Sequence, residues 1–353
     1  MPFELPEHPR SARRAAIWRW VSFALVALLV AALTYLAYIG FVGSDQVSEP
    51  PFPSRDCRTP AIAFGWTYEP INYDPTTDVV LEGYPDAANC PEQGVAAGDD
   101  VVTSDGKSIA GWYVPAASGI GPEGATLVLA HGHGGNKSSM LGHAEVLHDD
   151  YNLVLFDLRN HGQSEDAPTT VGVHERRDLQ AMVDWLETNK APRALGVLGT
   201  SMGSAVAVNE AMNDSRVDAL VLESTHATLA NALEARLRRA GYPLAVPAAW
   251  SILMGGLIRT GADMSAADPV QAIGRLEEVP VLLIGGGQDY SMGPTDAEDL
   301  QAAAQAAGID AELHVCEPAG HGGAHIGCPD EYRDWVLGFL ARTLDRAASA
   351  PGG

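Results

Sequence analysis

Basic residues are scarce in this chain of 353 residues. Lysine and arginine together number 22, against 45 aspartates and glutamates, and the formal net charge is −23 at pH 7. Proteins that bind nucleic acid need cationic side chains to pair with the phosphates. The charge balance therefore argues against nucleic acid as a partner. Otherwise it bears on solubility rather than on the fold.

Cysteine is also sparse, with four residues in the chain. Cys57 and Cys90 lie in the N-terminal part, and Cys316 and Cys328 lie near the C-terminus. Four cysteines allow three pairings. We expect the two local pairs, 57–90 and 316–328, because each of them closes a loop inside one region. Four free thiols are the alternative, which an oxidising compartment disfavours.

Two common ligand-binding patterns are missing. The glycine-rich segment "HGHGGNKSS" (131–139) lacks the G-x-x-x-x-G-K-[ST] spacing of a phosphate-binding loop. His131 and His133 resemble half of a metal site, but no further cluster of metal-ligating residues stands at a typical spacing. We therefore expect neither a metal nor a cofactor.

One long apolar run stands near the N-terminus, from Trp20 to Ser44. It is long enough for a transmembrane helix, which needs about 20 apolar residues. Because arginines precede the run and acidic residues follow it, the N-terminus is expected in the cytoplasm and the rest outside the cell membrane. The apolar region of a cleaved signal peptide is usually shorter, about 7–15 residues. An uncleaved single-pass anchor is therefore the preferred interpretation, and cleavage or a buried soluble helix are alternatives.

The rest of the chain divides by composition. Short apolar segments alternate with helical patterns from Asp99 onward, which predicts a mostly parallel sheet with helices on both faces. An interrupted apolar stretch at 242–258 is either a buried helix or part of a small cap over a pocket. The predicted organisation is a cytoplasmic N-terminus (1–19), a transmembrane signal anchor (20–43), a linker (44–60), an N-terminal extension packed on the catalytic domain (61–98), a catalytic domain (99–346) with its cap at about 226–270, and a disordered tail (347–353).

The segment "LGTSMGS" (198–204) places Ser201 between Gly199 and Gly203, after an apolar strand and before a helix-prone run. A serine on such a sharp turn has a strained backbone, and glycines two residues away avoid a collision. The hydroxyl is then exposed at the carboxyl edge of the sheet. The main-chain N–H of Met202 is expected to point to the position of an oxyanion.

A serine hydroxyl needs a base, and the base needs an orienting carboxylate. Asp289 follows one apolar strand in "IGGGQDY", and His321 follows the next in "EPAGHGGAH". Both therefore belong to the edge that carries Ser201, in the chain order serine, acid, histidine. Glu223, also at a strand end, is the alternative acid, and His325 is the alternative base.

The second oxyanion donor is expected from the loop after an earlier strand. In "LAHGHGGNKSS" we predict the main-chain N–H of His133, with Gly134 as the second choice. Other histidines, His174 and His226 among them, are interpreted as surface or packing residues.

Together these segments resemble the α/β-hydrolase superfamily of serine hydrolases. The motifs "HGHGGNKSS", "FDLRNHGQSE", "GTSMGS", "GGGQD" and "AGHGG" stand in the family's order, and the resemblance runs from Asp100 to Leu344. It is strongest to the membrane-anchored or secreted bacterial branch related to ABHD-type lipases, Bem46-like proteins and S33-type aminopeptidases. It implies an α/β-hydrolase fold, with Ser201 as the nucleophile, Asp289 as the acid, His321 as the base, and Met202 with His133 as the oxyanion hole.

The expected function is an extracytoplasmic hydrolase of small-molecule or lipid-like carboxylic esters, which acts through an acyl-serine. A peptidase, amidase or acyltransferase with the same triad is the alternative, and a non-catalytic binding module belongs to another class. A Cys316–Cys328 bridge would also hold His321 near Ser201. The sequence does not predict an oligomeric state.

Overall fold

The computed structural model describes residues 9–50, 58–73, 101–293 and 295–349. Cys57, Cys90 and residues 74–98 of the predicted extension lie outside the described residues. The expected 57–90 disulfide therefore stays a prediction.

A central sheet organises the described part of the chain. Its strands are β1 (Glu69–Ile71), β2 (Gly111–Val114), β3 (Thr126–Ala130), β4 (Asn152–Phe156), β5 (Leu195–Thr200), β6 (Ala219–Glu223), β7 (Val281–Gly286) and β8 (Ala311–Cys316). They lie in the order β1-β2-β4-β3-β5-β6-β7-β8. The pairs β1–β2 and β2–β4 are antiparallel, and the other neighbours are parallel. The mostly parallel sheet predicted from continuous apolar segments is confirmed.

Helices cover both faces of the sheet. They are α1 (Pro9–Ser48), α2 (Pro60–Phe64), α3 (Leu141–Leu147), α4 (Arg176–Asn189), α5 (Met202–Ala211), α6 (Leu229–Arg239), α7 (Ala245–Thr260), α8 (Pro269–Ile273), α9 (Asp296–Ala306), α10 (Ala324–Gly327) and α11 (Pro329–Ser349). Alternate strand residues point to opposite faces. Val128 and Val154 pack in the core that contains α4 and α5, whereas Leu129 and Leu155 pack with α3 and α11.

The regular alternation of strand and helix lapses between β6 and β7. Helices α6, α7 and α8 occupy this interval, together with a short 3-10 turn at Met264–Ala267. The apolar stretch at 242–258 forms most of α7. One face of α7 is buried, through residues such as Ala248, Ile252 and Leu253. The opposite face is exposed, so α7 is not a fully buried helix.

Two predicted boundaries differ from the structure. The linker predicted from residue 44 is helical as far as Ser48, because the helix meets no breaker until Pro50 and Pro51. The carbonyl of Ser48 also accepts a hydrogen bond from the Thr169 N–H at 2.9 Å. The tail predicted from residue 347 is helical through Ser349, because alanines, which favour helix, continue the pattern.

Helix α1 is mostly apolar and exposed. Among the described residues, Ala16–Ser48 is the one helical segment long and apolar enough to cross a membrane. Its C-terminal turns do not extend freely from the domain. They pack against α7 and reach the carboxyl edge of the sheet, where the predicted catalytic residues lie.

Candidate active site

Ser201 lies at the sharp turn between β5 and α5. Its backbone has φ 57°, a conformation that residues other than glycine rarely adopt. The Ser201 N–H donates to the carbonyl of Glu223 at 2.9 Å. The Ser204 hydroxyl donates to the carbonyl of Gly199 at 2.6 Å. These bonds tie the turn to β6 and to β5, so the surrounding structure maintains the strained conformation.

Glycine is required on both sides of this turn. A Cβ on Gly199 would collide with the main chain of Gly203, and a Cβ on Gly203 would collide with the carbonyl of Ala130 in β3. These obstacles are backbone atoms, which cannot move aside as a flexible side chain can. The main chain of α5 therefore approaches the sheet closely enough to present Ser201 at its edge.

Asp289 and His321 lie in the loops after β7 and β8. The His321 Nδ1 donates to the Asp289 Oδ2 at 2.8 Å, and the Ser291 N–H donates to the Asp289 Oδ1 at 3.0 Å. Burial by itself would raise the pKa of Asp289. The hydrogen bond and charge of His321, together with the Ser291 N–H, outweigh burial and lower this pKa below its ordinary value. Asp289 is therefore ionised at neutral pH and able to fix the tautomer of His321.

The loop that carries His321 rests against the Ser201 turn. The N–H of Gly322 donates to the Ser224 Oγ at 2.8 Å. A Cβ on Gly322 would lie 2.8 Å from the Thr200 methyl carbon, one residue before Ser201. Among the described residues, the Ser201 hydroxyl makes no hydrogen bond to the His321 ring. Catalytic hydrogen bonds often tighten only when substrate binds, so the predicted triad is compatible with this geometry.

The loop after β3 passes directly over Ser201. A Cβ on Gly132 would lie 3.3 Å from the Ser201 Cβ. Met202 is the first residue of α5, so its N–H has no acceptor within the helix. The Gly134 N–H instead donates to the His161 Nε2 at 3.0 Å. Gly134, the second choice for the oxyanion donor, is therefore engaged elsewhere, and His133 stays the prediction.

Both imidazole rings of the His131–His133 pair, which resembles half of a metal site, have other partners. The Leu158 N–H donates to the His131 Nε2 at 3.0 Å, and the His133 Nε2 lies 2.8 Å from the carbonyl of Val47. Burial lowers the pKa of His131 to about 3 and that of His133 to about 4. The neutral His131 ring fixes the loop to the segment after β4, and the neutral His133 ring fixes it to α1.

The motif "FDLRNHGQSE" supports the same loop. Lys137 donates from its Nζ to the Asp157 Oδ2 at 2.5 Å and to the Gln163 Oε1 at 2.7 Å. Arg159 pairs through its Nη2 with the Asp178 Oδ1 at 2.7 Å. A buried charge is tolerated where it is paired in this way. We therefore interpret the side chains of this motif as supports for the backbone of the neighbouring loops, not as members of the predicted catalytic triad.

A cavity of about 40 Å³ adjoins Ser201. It is lined by both predicted oxyanion residues and by others that the sequence did not predict for the site, among them Val47, His226 and Arg236. Burial and the neighbouring Arg236 and His321 lower the pKa of His226 to about 4. The charged last turn of α6, "RLRR", was the available signal for Arg236. No local pattern marked Val47.

The two alternative triad members belong to a separate cluster. The His143 Nε2 donates to the Glu223 Oε2 at 2.8 Å, and the Ala324 N–H donates to the Glu223 Oε1 at 2.9 Å. The ring of His325 lies 4.1 Å from that of His143. Of the described residues, His143, Glu223 and His325 are the group close enough to hold a metal. The bonds of Glu223 to the His143 ring and to the Ala324 N–H anchor the loop between His321 and α10.

Cys316 and Cys328 form a disulfide, with their Cα atoms 6.0 Å apart. Cys316 is the last residue of β8, and Cys328 precedes α11. The bridge therefore closes a loop that contains His321 and Ala324. This loop is fixed covalently at its ends and by the Glu223 hydrogen bond in its middle.

Comparison with known sequences gives related proteins. The sequence profile of the α/β-hydrolase fold matches residues 125–249. The uncharacterized protein Rv2307c of Mycobacterium tuberculosis is 32% identical over 230 residues, which are 63% of this chain and 73% of that protein. The uncharacterized protein YfhR of Escherichia coli is 25% identical over 266 residues, which are 72% of this chain and 84% of that protein.

Comparison with solved structures shows the same fold. An esterase of Pyrococcus furiosus, Pf2001, superposes with a TM-score of 0.62 and 21% identity, over 84% of this chain and 98% of the esterase. A hydrolase of Pseudomonas aeruginosa superposes with a TM-score of 0.51 and 24% identity, over 68% of this chain and 96% of that protein.

Proposed function

Because the chain belongs to the α/β-hydrolase superfamily, we propose that it is a serine hydrolase that cleaves carboxylic esters through an acyl-serine intermediate. The observation that carries this proposal is the Asp289–His321 hydrogen bond of 2.8 Å at the sheet edge that bears Ser201. The esterase from Pyrococcus furiosus, which shares the fold, is consistent with it.

In the proposed mechanism, His321 accepts the proton of Ser201 as the serine oxygen attacks the ester carbonyl carbon. The protonated imidazole is stabilised by the ionised Asp289. As the carbon–oxygen bond of the leaving alcohol breaks, His321 returns the proton to that alcohol. Water then attacks the acyl-serine, with His321 again acting as the base, and releases the acid.

The negative charge of the tetrahedral intermediate develops beside the loop after β3. We assign its stabilisation to the main-chain N–H groups of Met202 and His133. Such donors act in a site that excludes water, and loss of one of them typically costs about 10²–10³ in rate. The small cavity above Ser201 must widen to admit a substrate, and its walls on the side of the cap come from α6.

We assign the protein to the cell membrane, with α1 as an uncleaved anchor and the catalytic domain outside. Contacts of the last turns of α1 support retention of this helix. The Asp45 Oδ1 pairs with the Arg259 Nη1 at 3.0 Å, and the Val47 carbonyl contacts the His133 ring. Removal of α1 would uncover part of the active-site wall. The disulfide of Cys316 and Cys328 is consistent with an oxidising compartment.

Substrate comparison tests the chemistry. The purified full chain should hydrolyse p-nitrophenyl acyl esters with a higher kcat/KM than aminoacyl anilides. Ser201→Ala should abolish this turnover, whereas Ser215→Ala, at an exposed serine outside the site, should leave it unchanged. Faster cleavage of the anilides would identify an amidase or peptidase instead. Ester turnover that survives in Ser201→Ala would refute the assigned nucleophile.

A further inference from the structure

Helix α7 presents a broad apolar face to the outside of the domain. Val246, Trp250, Met254 and Ile258 recur every fourth residue and so lie on one side of the helix. Their exposed fractions range from 42% to 79%. A contiguous apolar patch of this kind on a soluble surface usually marks an interface.

Contacts with α1 fix the orientation of this face. The Tyr35 hydroxyl donates to the Pro243 carbonyl at 2.9 Å, just before α7 begins. Asp45 pairs with Arg259 near the end of α7. The two helices therefore run parallel, with the start of α7 beside Tyr35 and its end beside Asp45.

Small residues allow the two helices to approach closely. A Cβ on Gly40 would lie 2.7 Å from the carbonyl oxygen of Ser251, and a Cβ on Gly255 would lie 2.5 Å from the carbonyl oxygen of Gly40. Close contacts through glycine are typical of helix pairs packed in a membrane. The pair acts as one unit, so the depth of α1 sets the depth of α7.

The length of the apolar run in α1 indicates how deep each helix lies in the bilayer. At about 1.5 Å per residue, a hydrocarbon core of about 30 Å takes about 20 residues. If the core begins near Trp20, it ends near Gly40. The first turns of α7 lie beside Tyr35 to Gly40, within the outer half of the bilayer. Arg259 and Asp45 lie beyond this level, where charged groups meet the headgroups and water.

A groove of about 860 Å³ separates the outer sides of the two helices. Its apolar walls include Leu36, Phe41, Trp250, Met254 and Ile258. It is continuous with the lipid-facing surface of α1. A lipid acyl chain matches this groove because it is apolar, narrow and present at this depth.

We propose that the exposed face of α7 is embedded in the outer leaflet of the membrane and that the α1–α7 groove holds a lipid acyl chain. The inference rests on the proposed membrane-anchored hydrolase and names its substrate class as esters of long acyl chains held in the bilayer. The same helix α1 that lines the groove supplies Val47 to the wall beside Ser201. The cap of the active site is then in direct contact with the source of its substrate.

Photolabelling from within the bilayer tests the embedding. The full chain is reconstituted into phosphatidylcholine vesicles that contain a phosphatidylcholine with a diazirine on one acyl chain. After irradiation, lipid adducts are expected in α1 and in the tryptic peptide Ala240–Arg259, which contains α7. The peptide Ser138–Arg159, from the interior of the domain, is the control. Labelled α1 with unlabelled Ala240–Arg259 would overturn the inference, and unlabelled α1 would refute the membrane anchor itself.

A charge on the face tests its functional role. Val246→Glu should reduce hydrolysis of a long-chain ester embedded in vesicles by about tenfold, because Val246 lies between the levels of Tyr35 and Gly40, where a carboxylate is costly in lipid. Turnover of the water-soluble p-nitrophenyl acetate should be unchanged. The matched control Val102→Glu, at an exposed valine outside the cap, should alter neither rate. Equal rates on the embedded ester for Val246→Glu and the native chain would contradict the inference, whereas a native chain that does not hydrolyse p-nitrophenyl acetate would refute the proposed chemistry.

Discussion

Two histidine–carboxylate pairs lie at the carboxyl ends of neighbouring strands. His143 forms a hydrogen bond with Glu223 at the end of β6, and His321 forms one with Asp289 after β7. Each bond is 2.8 Å long. Their surroundings differ. The side chain of His143 is 3% exposed, whereas that of His321 is 29% exposed. The rings of Tyr332 and His325 pack against His143, whereas His321 lies in a loop whose Gly322 contacts the residue before Ser201.

In the proposed mechanism, access to solvent, rather than the pair itself, determines which of the two pairs takes part in the chemistry. A proton relay must exchange protons with a nucleophile and with substrate, which an enclosed pair cannot do. Glu223 also accepts the Ala324 N–H, so its carboxylate is committed to holding the loop. We therefore interpret His143–Glu223 as a positioning pair that holds the loop of the second pair, Asp289–His321, which we propose to be catalytic.

The matched change of each histidine to glutamine should separate these roles most clearly. His321→Gln removes the base and should lower kcat by about 10⁴–10⁶, the range seen when a triad member is lost. His143→Gln keeps a donor for Glu223 and should retain kcat within about tenfold. Steady-state kinetics on a soluble ester measure both. Similar losses in the two variants would break the comparison.

The carboxylates provide a second matched pair. Asp289→Asn should lower kcat by about 10⁴ because an amide no longer selects the required tautomer. Glu223→Gln should affect stability instead and lower the free energy of unfolding by about 1–3 kcal/mol through a weakened buried hydrogen bond. Kinetics and urea unfolding of both proteins distinguish the effects. A Glu223→Gln variant that is fully stable but inactive would show that Glu223 is part of the relay.

The disulfide is expected to have a smaller effect on turnover than the triad residues and a clear effect on stability. Replacing Cys316 and Cys328 by serine together should cost about 3 kcal/mol of stability, because the loop they close gains freedom in the unfolded state. Turnover should fall by a smaller factor than in Asp289→Asn, since the Glu223–Ala324 bond still holds the loop. Thermal unfolding and kinetics test this. Unchanged turnover in the folded double variant would mean that the bridge does not position His321.

The smallest expected effect is a pH dependence of stability. Burial alone would raise the pKa of Glu223, but the charge and hydrogen bond of His143, with the Ala324 N–H, lower it below its ordinary value of 4.5. Below about pH 4.5 the unfolded chain therefore binds more protons at this residue than the folded chain. The stabilisation is present above this pH and is lost as the pH falls through the folded-state pKa. Urea unfolding of Glu223→Gln should show a shallower loss of stability in acid, and identical slopes would contradict this assignment.

The fold could be predicted because the sequence patterns that specify its strands and helices are local. Each parallel strand is a continuous apolar segment, and α4 has the expected apolar face of Leu179, Met182, Val183 and Leu186, all of which are buried. The positions of Asp289 and His321 followed from the rule that parallel strands end at one edge. For the same reason, Ser201 was expected on that edge.

The remaining features depend on contacts between distant segments. Glu223 and Asp289 both lie where a strand ends at the same edge of the sheet. Their partners, His143 for Glu223 and His321 for Asp289, distinguish the roles that we assign to them. Val47 reaches the cavity because the last turn of α1 docks beside His133, more than 80 residues away along the chain. No periodicity or motif encodes such a contact. The helical continuation of α1 through Ser48 has a local cause instead, because no helix breaker stands before Pro50.

Active-site labelling tests the central claim most directly. The full chain is treated with a fluorophosphonate, digested with trypsin and analysed by mass spectrometry. The account predicts one phosphonyl adduct in the peptide Ala194–Arg216, located at Ser201, and a strongly reduced rate of labelling in Asp289→Asn and His321→Gln but not in His143→Gln. An enzymatically active protein that is labelled at another residue, or is not labelled at all, would contradict it.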